Sequence, residues 1–324
     1  MKTLYLTPSS QEQLPPTVVT VGFFDGVHRG HQYLLGQMNN YAHEHGLESA
    51  VVTFDRHPRE VLGSSYQPHL LSTLEEKLLM LSKTGIDLCV VLPFSRELAA
   101  LSAREFMEQV LRERLNAVWL YIGYDNRFGH NRSEGIADYT AYGRELGIEV
   151  VQNEAFMLNG VNVSSSVVRS FIEAGEVELA ARCLGYPYTV LGTVVGGVQE
   201  GRKLGFPTAN IQVADTHKLI PASGVYAVTA RLENSSEERQ AMMNIGTRPT
   251  FSGKALTLET HILHFAADLY GRQLAVSFVR RIREERRFIS TEALRRQLQR
   301  DEQEVEQLFS EMKEKDVVVE DLNQ

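Results

Sequence analysis

The chain is poor in the residues that staple small secreted or metal-built domains. Among 324 residues there are two cysteines, Cys89 and Cys183. Each lies in an apolar run with no partner nearby, so neither a disulfide framework nor a zinc cluster is expected. No run approaches the roughly 18 consecutive apolar residues of a membrane span. The N-terminus, MKTLYLTPSSQEQLPP, has no long apolar stretch, so no secretory signal is read there. A soluble chain in the cytoplasm, with no membrane partner, is the resulting expectation. Positive charge is also scarce. Lys plus Arg is 33 against 41 Asp plus Glu, a formal net charge of −8. A dedicated nucleic-acid binder usually carries a basic face, so no nucleic-acid partner is expected. A local cationic pocket for a small anion stays compatible with that balance. There is no internal repeat and no low-complexity tract. What remains is globular composition, 43% hydrophobic and 23% charged. At about 150 residues per domain, the length predicts two domains.

The first half alternates. Short apolar, β-branched runs at Val18–Phe24, Ala50–Phe54, Leu88–Phe94, Ala117–Tyr124 and Ile148–Val151 read as strands. Helical spacing follows His31, with Gly46 as its stop. Ser72-Thr73-Leu74-Glu75 and Ser102-Ala103-Arg104-Glu105 read as capping boxes opening two more helices. A further helix near Ile136–Leu146 ends at Gly147. Strands apolar on both faces and alternating with helices predict a parallel sheet covered on both sides. After two short helical stretches, about Ser166–Ala174 and Val177–Leu184, the pattern turns β-like. Runs at Tyr188–Val195, Val225–Leu232, Ala241–Ile245, Leu256–Phe265 and Leu274–Ile282 predict a small antiparallel barrel or sandwich. Ser290 caps a last helix. The expected division is 1–185 and 186–324, at Leu184-Gly185-Tyr186-Pro187.

Two constellations carry chemistry. The first, Gly22-Phe23-Phe24-Asp25-Gly26-Val27-His28-Arg29-Gly30-His31, falls between the first strand and the first helix. That is the carboxyl end of a parallel strand, where α/β folds bind ligands. Glycines let the backbone approach a ligand, and the helix start offers free N–H groups to phosphate. His28 and His31 share a helical face and can stabilise charge on phosphate oxygens. A tight turn with surface histidines is the plainer alternative. A metal pair is another, but no third ligand is evident. The second constellation runs from Gly192-Thr193-Val194-Val195-Gly196-Gly197 to Gly201-Arg202-Lys203-Leu204-Gly205-Phe206-Pro207-Thr208-Ala209-Asn210. Its glycines can surround phosphates with N–H groups, and Thr208 and Asn210 offer oxygens suited to Mg²⁺ on a nucleotide. No Gly-Lys-Ser/Thr follows, so it is not a Walker loop. Taken alone it reads as a barrel turn.

The string GFFDGVHRGH resembles the His-x-Gly-His nucleotidyltransferases and, more specifically, the N-terminal module of bacterial bifunctional riboflavin kinase/FMN adenylyltransferases (FAD synthetases). Thr53-Phe54-Asp55-Arg56-His57-Pro58, Gly123-Tyr124-Asp125-Asn126-Arg127-Phe128-Gly129 and Ser164-Ser165-Ser166-Val167-Val168-Arg169 are similar to that family's later motifs. GRKLGFPTAN resembles the riboflavin kinase signature, with Asn244–Thr250, Glu259–Leu263 and Asp268–Gly271 following in order. The likeness spans nearly the whole chain. It implies a Rossmann-like nucleotidyltransferase domain followed by a β-barrel riboflavin kinase domain with a terminal helix. It implies ATP and phosphate contacts from Gly22, Asp25, Gly30, Ser164, Ser165 and Arg169 in the first domain, around catalytic His28 and His31. In the second it implies ATP and phosphate contacts from Gly201, Arg202, Thr208 and Asn210, Mg²⁺ at Thr208 and Asn210, and Glu259 as the catalytic carboxylate. Asn126, Arg283 and Phe288 fall at the flavin ends. Phe23, Arg56 and Asn126 stand where the family commonly has Asn, Pro and Phe. The implied small molecules are riboflavin, FMN, FAD and ATP. Nothing in the sequence specifies an oligomeric state. Two alternatives are a kinase whose N-terminal module is weak or inactive, which the presence of His28, His31 and Arg169 opposes, and a flavin-binding regulator or RNA-binding module, which the acidic balance and the full motifs oppose.

Overall fold

The computed structural model of the chain describes residues 1–7, 13–63, 69–124, 126–130, 132–197, 200–250 and 253–321. It falls into two compact units, Met1–Ser165 and Ser166–Gln324. That division comes earlier in the chain than the expected one at Gly185.

The first unit runs β1 (Lys2–Tyr5), β2 (Thr17–Val21), α1 (Arg29–Glu44), β3 (Glu48–Phe54), α2 (Pro58–Val61), α3 (Leu74–Ser82) and β4 (Leu88–Leu92). Then come α4 (Arg96–Ala100), α5 (Ala103–Phe106), β5 (Ala117–Ile122), α6 (Ile136–Leu146), β6 (Glu149–Gln152) and the small hairpin β7 (Met157–Leu158) and β8 (Val161–Asn162). Six strands form one sheet in the order β1-β4-β3-β2-β5-β6, every pair parallel. Alternate residues of one strand feed two cores. Val19, Val21, Val52 and Val90 join one apolar cluster, while Val18, Val51, Cys89 and Val91 join the other. This two-sided burial is the source of the unbroken apolar runs in the sequence. The edge strand β1 is an addition to the expected set. It is short and its burial shows only at Leu4, so its pattern carries little signal. One capping box shifts by a residue: Thr73, not Ser72, caps α3, with Glu76 as its reciprocal partner. Ser72 is engaged elsewhere, as described below. The box at Ser102 and Glu105 forms as expected.

The second unit holds α7 (Ser165–Ala174), α8 (Val177–Leu184), β9 (Thr189–Val195), α9 (Glu200–Lys203), β10 (Ala209–Gln212), β11 (Gly224–Leu232), β12 (Glu238–Thr250), β13 (Gly253–Ile262), β14 (Gln273–Arg283) and α10 (Thr291–Asp321). Six strands close a barrel in the order β10-β13-β12-β11-β14-β9. The helix α8 packs on β14, where Glu178 pairs with Arg280 at 3.1 Å. The Arg281 guanidinium donates to Ala174 O and Ser223 O. These contacts place both short helices with the barrel. Across its described side chains, α10 buries Val305, Leu308 and Phe309 against Phe206, Ala227, Met242 and Leu263. No helix among the described residues is long and apolar enough to cross a membrane.

Candidate active sites

In the first unit the chain leaves β2 through a turn that ordinary side chains adopt at a cost. Phe24 has φ 54°, Gly26 φ 73° and Val27 φ 36°. Two non-glycine residues in the left-handed region persist only where surroundings over-determine them. Here Asp25 does so. It is buried, and its carboxylate accepts from Leu71 N at 3.1 Å, Ser72 N at 3.0 Å and Ser72 Oγ at 3.3 Å. The Gly26 amide donates back to Ser72 Oγ at 3.0 Å. Asp25 therefore braces the turn through these contacts.

His28 ends the turn and caps α1. Its Nδ1 accepts from His31 N at 3.3 Å, which leaves the proton of the neutral ring on Nε2. The His31 ring stacks on His28 with centroids 3.6 Å apart and planes at 19°. Burial, His28 and Lys77 hold His31 well below the usual imidazole range, so it is neutral at pH 7. Its buried Nδ1 has no partner among the described residues. A Cβ on Gly30 would be crowded, at 3.0 Å from Val163 O and 3.1 Å from the His28 ring. A Cβ on Gly22 would meet the Phe24 ring at 2.9 Å. Ser165 Oγ donates to Asp25 O at 3.0 Å, which brings the half-buried Ser164–Ser165 pair to the same turn. Arg169 is half-buried on α7, in the second unit. Asn126 donates its amide to Val21 O and lines a cleft of about 350 Å³ at the carboxyl ends of β5 and β6, with Tyr124, Arg127, Tyr139 and Gln152. Asp125 lies outside the described residues.

Periodicity gives no hint of Lys77, on α3. It is 2% exposed, and its Nζ donates to Phe23 O at 3.1 Å and Phe54 O at 3.0 Å. Burial pushes it down to about 8, against the opposing pull of Asp25, Cys89 and Asp55.

The second site is built by register. Asn210 on β10 stands opposite Glu259 on β13, and Glu259 stands opposite Asn244 on β12. Three polar side chains thus share one level of the barrel wall, all half-buried. The Asn210 amide fills the space where Gly197 lacks a Cβ; one there would lie 2.1 Å from its Nδ2. The 201–206 turn closes on itself, with Phe206 N donating to Gly201 O at 2.8 Å. A Cβ on Gly201 would lie 2.3 Å from Phe206 O, so only glycine fits. Thr208 is half-buried just before β10, while Arg202 is exposed on α9. His261 hydrogen-bonds Pro207 O at 2.8 Å and so fixes the residue before Thr208. Beside this wall opens a cleft of about 760 Å³, lined among others by Gly196, Gly197, Asn210, Gln212, Asp215 and Lys218. Asn244, His261 and Lys218 join the candidate set only through strand pairing and cleft lining.

The oxygens of Thr208, Asn210 and Glu259 are hard donors suited to Mg²⁺. Among the described residues no group of three or more His, Cys, Asp or Glu gathers to hold a metal alone. That fits an ion carried largely by nucleotide phosphates and water, as Mg²⁺ in phosphoryl-transfer sites is. Arg283 binds Asp301 of α10 through two donors, at 2.7 to 3.1 Å, with Asp301 fully buried. Its guanidinium lies 5.8 Å from the ring of half-buried Phe288. Arg283 thereby ties β14 to the terminal helix and presents Phe288 beside it.

Comparison with known proteins gives both sites a context. The FAD synthetase family profile matches residues 10–167, and the riboflavin kinase profile matches residues 184–309. The bifunctional riboflavin kinase/FMN adenylyltransferase of Escherichia coli K12 is 37% identical over 93% of this chain and 95% of its own length. The one from Pseudomonas fluorescens is 39% identical over 86% and 88%. A solved Streptococcus pneumoniae structure, described as a macrolide-efflux protein, superposes with a TM-score of 0.84 at 31% identity, covering 93% of this chain and 97% of that one. With a parallel-sheet unit holding a stacked histidine pair, and a closed barrel aligning Asn210 with Glu259, the chain belongs to the family of bifunctional riboflavin kinase/FMN adenylyltransferases.

Proposed function

We propose that the two reactions occupy the two sites just described, each with its own residues. In the barrel, riboflavin and ATP give FMN and ADP. Glu259 accepts the proton of the ribityl 5′-hydroxyl as that oxygen attacks the γ-phosphorus. Asn210 and Asn244 flank Glu259 on the two paired strands, and the glycine-lined cleft takes the nucleotide. Thr208 and Asn210 would hold Mg²⁺ with the ATP phosphates, and the ion would offset charge on their oxygens. Phe288 and Arg283 border the flavin.

In the first unit a phosphate oxygen of FMN attacks the α-phosphorus of a second ATP. The P–O bond to the β-phosphate breaks, and FAD and pyrophosphate leave. His28 donates from Nε2 to the phosphate oxygens on which charge grows, and neutral His31 stacks beneath it. Backbone amides at the start of α1 and the hydroxyls of Ser164 and Ser165 supply further donors. Gly22 and Gly30 keep the approach open. The cleft at Asn126 takes the flavin, and Arg169 is assigned to phosphate. Catalytic work is divided as 1–185 and 186–324. Buried thiols at Cys89 and Cys183 suit a reducing compartment, and we place the chain in the cytoplasm.

The observation that carries this reading is the Asn210–Glu259–Asn244 register, which sets a carboxylate between two amides in a barrel whose sequence matches riboflavin kinase. The test supplies riboflavin, ATP and Mg²⁺ and resolves the flavins by chromatography. Glu259→Ala is expected to stop FMN formation, by a factor of about 10² to 10⁴, and to spare conversion of supplied FMN to FAD. His28→Ala with His31→Ala is expected to do the reverse. If Glu259→Ala also blocked FAD formation from supplied FMN, the two-site reading would fail.

A further inference from the structure

We propose that Lys77 is a positioning residue of adenylyl transfer: its ammonium joins the carbonyls of Phe23 and Phe54 and so fixes the turn that presents His28 and His31. The proposal deepens the adenylyl-transfer reading above and rests on it.

The geometry sets Lys77 apart from an ordinary core residue. Phe23 O and Phe54 O lie at the carboxyl ends of adjacent strands, β2 and β3, past the last β2–β3 pair, Val21 and Val52. Lys77 bridges them from α3, and Thr53 Oγ1 adds a second donor to Phe23 O at 3.1 Å. The Lys77 ammonium also lies 4.2 Å from the centre of the Phe23 ring, which stands at 77° to the His57 ring with centroids 4.8 Å apart. One cation therefore holds the backbone and the side chain of the residue that opens the histidine turn.

Burying an ammonium is costly, and an apolar residue of similar volume would pack there without that cost. Among the described residues no carboxylate stands in ion-pair contact with Lys77, and the oxygens of nearby Asp25 are engaged with Leu71 and Ser72. The charge is thus left without a contact counter-ion beside a site built for phosphates. It works in two ways. It pins the turn, and it acts on the facing imidazole of His31, which it helps to keep neutral. The titratable groups facing it are Asp25 from the turn, Asp55 from the end of β3, Cys89 from β4 and His31 from α1. Burial pushes the Cys89 thiol up to about 11, which leaves Lys77 as the group titrating near pH 8.

The test uses the full chain, supplied FMN and Mg-ATP, with riboflavin phosphorylation in the same chain as internal reference. Lys77→Met is expected to lower kcat for FAD formation by about 10²-fold, the scale of a small misplacement of reacting groups. Riboflavin phosphorylation should stay within threefold. In the wild type, kcat/KM for ATP, which reports free-enzyme ionisations, should fall as pH rises through about 8, as Lys77 loses its proton. That limb should be absent in Lys77→Met and move to higher pH in Lys77→Arg. A wild type that is flat across this range, or Lys77→Met within threefold of wild type, overturns the proposal. If Lys77→Met does not fold, Lys77→Arg decides. FAD formation with the limb displaced supports the proposal, and an unchanged limb or lost activity overturns it. A wild type that makes FMN and no FAD defeats the adenylyl-transfer reading instead.

Discussion

The two sites are made rigid in different ways. The histidine site stands on a turn with left-handed residues at Phe24 and Val27, held by the buried polar groups Asp25, Ser72 and Lys77. The barrel site needs little such support. Asn210, Glu259 and Asn244 are aligned because their strands pair, and the pairing is stabilised by the whole barrel. The difference teaches where function and stability are separable. On a turn the supporting side chains and the site stand or fall together. On a sheet a site residue can be removed while the ladder holds.

The strongest way to break this comparison is Asp25→Ala. It strands the Leu71 and Ser72 amides in a buried place and releases a strained turn. Each buried amide left without an acceptor costs about 1–3 kcal/mol, and there are two. Trp119, the single tryptophan, lies on β5 and reports the first unit alone. Its denaturation midpoint should drop sharply while riboflavin phosphorylation persists. An unchanged midpoint would show that the turn needs no brace. The barrel offers one buried ion pair of its own, so Asp301→Ala is the next test. Arg283 would lose its partner, but at 18% side-chain exposure it can recruit water. The expected cost is about 2–3 kcal/mol, under the range for a fully buried pair. Heat inactivation of riboflavin phosphorylation is the measurement, and the Trp119 transition should not move.

How much of this was legible follows from the same contrast. The parallel sheet, the barrel and the terminal helix were readable because burial imposes a period, two-sided in β4 and alternating in β14. The strand β10 was hidden: at four residues, inside a stretch dominated by turn residues, it has no period to show. His28, His31 and Glu259 were found through motif likeness, and composition alone would have left each as a surface group. Ser72 reads as a helix cap from sequence, yet its amide and hydroxyl serve Asp25, 47 positions away. No local rule finds that pair. Lys77 was missed for a related reason. A lysine at a helical position reads as solvated, and only the fold shows two strand-end carbonyls closing over it.

Asn244→Ala probes the barrel side directly. The side chain is half-buried, and the ladder pairs through the backbone, so stability should change by less than about 1 kcal/mol. On the proposed role of Glu259, loss of the polar neighbour paired opposite it should lower riboflavin phosphorylation about tenfold. A kcal-scale loss of stability without loss of rate would reverse the comparison.

The smallest expected effect is a pH dependence confined to the first unit. His31 is held well below its ordinary value of 6.5 by burial, His28 and Lys77. In the folded chain it stays neutral as pH falls, while in the unfolded chain it takes up a proton near pH 6.5. The unfolded state then binds more protons, so stability is retained above that pH and lost progressively below it. One group can contribute at most about 1.4 kcal/mol per pH unit. Between pH 7 and 5.5 the Trp119 transition should therefore weaken by about 1 kcal/mol. His31→Gln removes the titrating ring, and the difference between variant and wild type isolates its share from that of other histidines. If the two chains lose stability in parallel over this range, His31 is not held neutral by the fold. The stacked pair would then need a charge-bearing role in place of the neutral one argued from its burial.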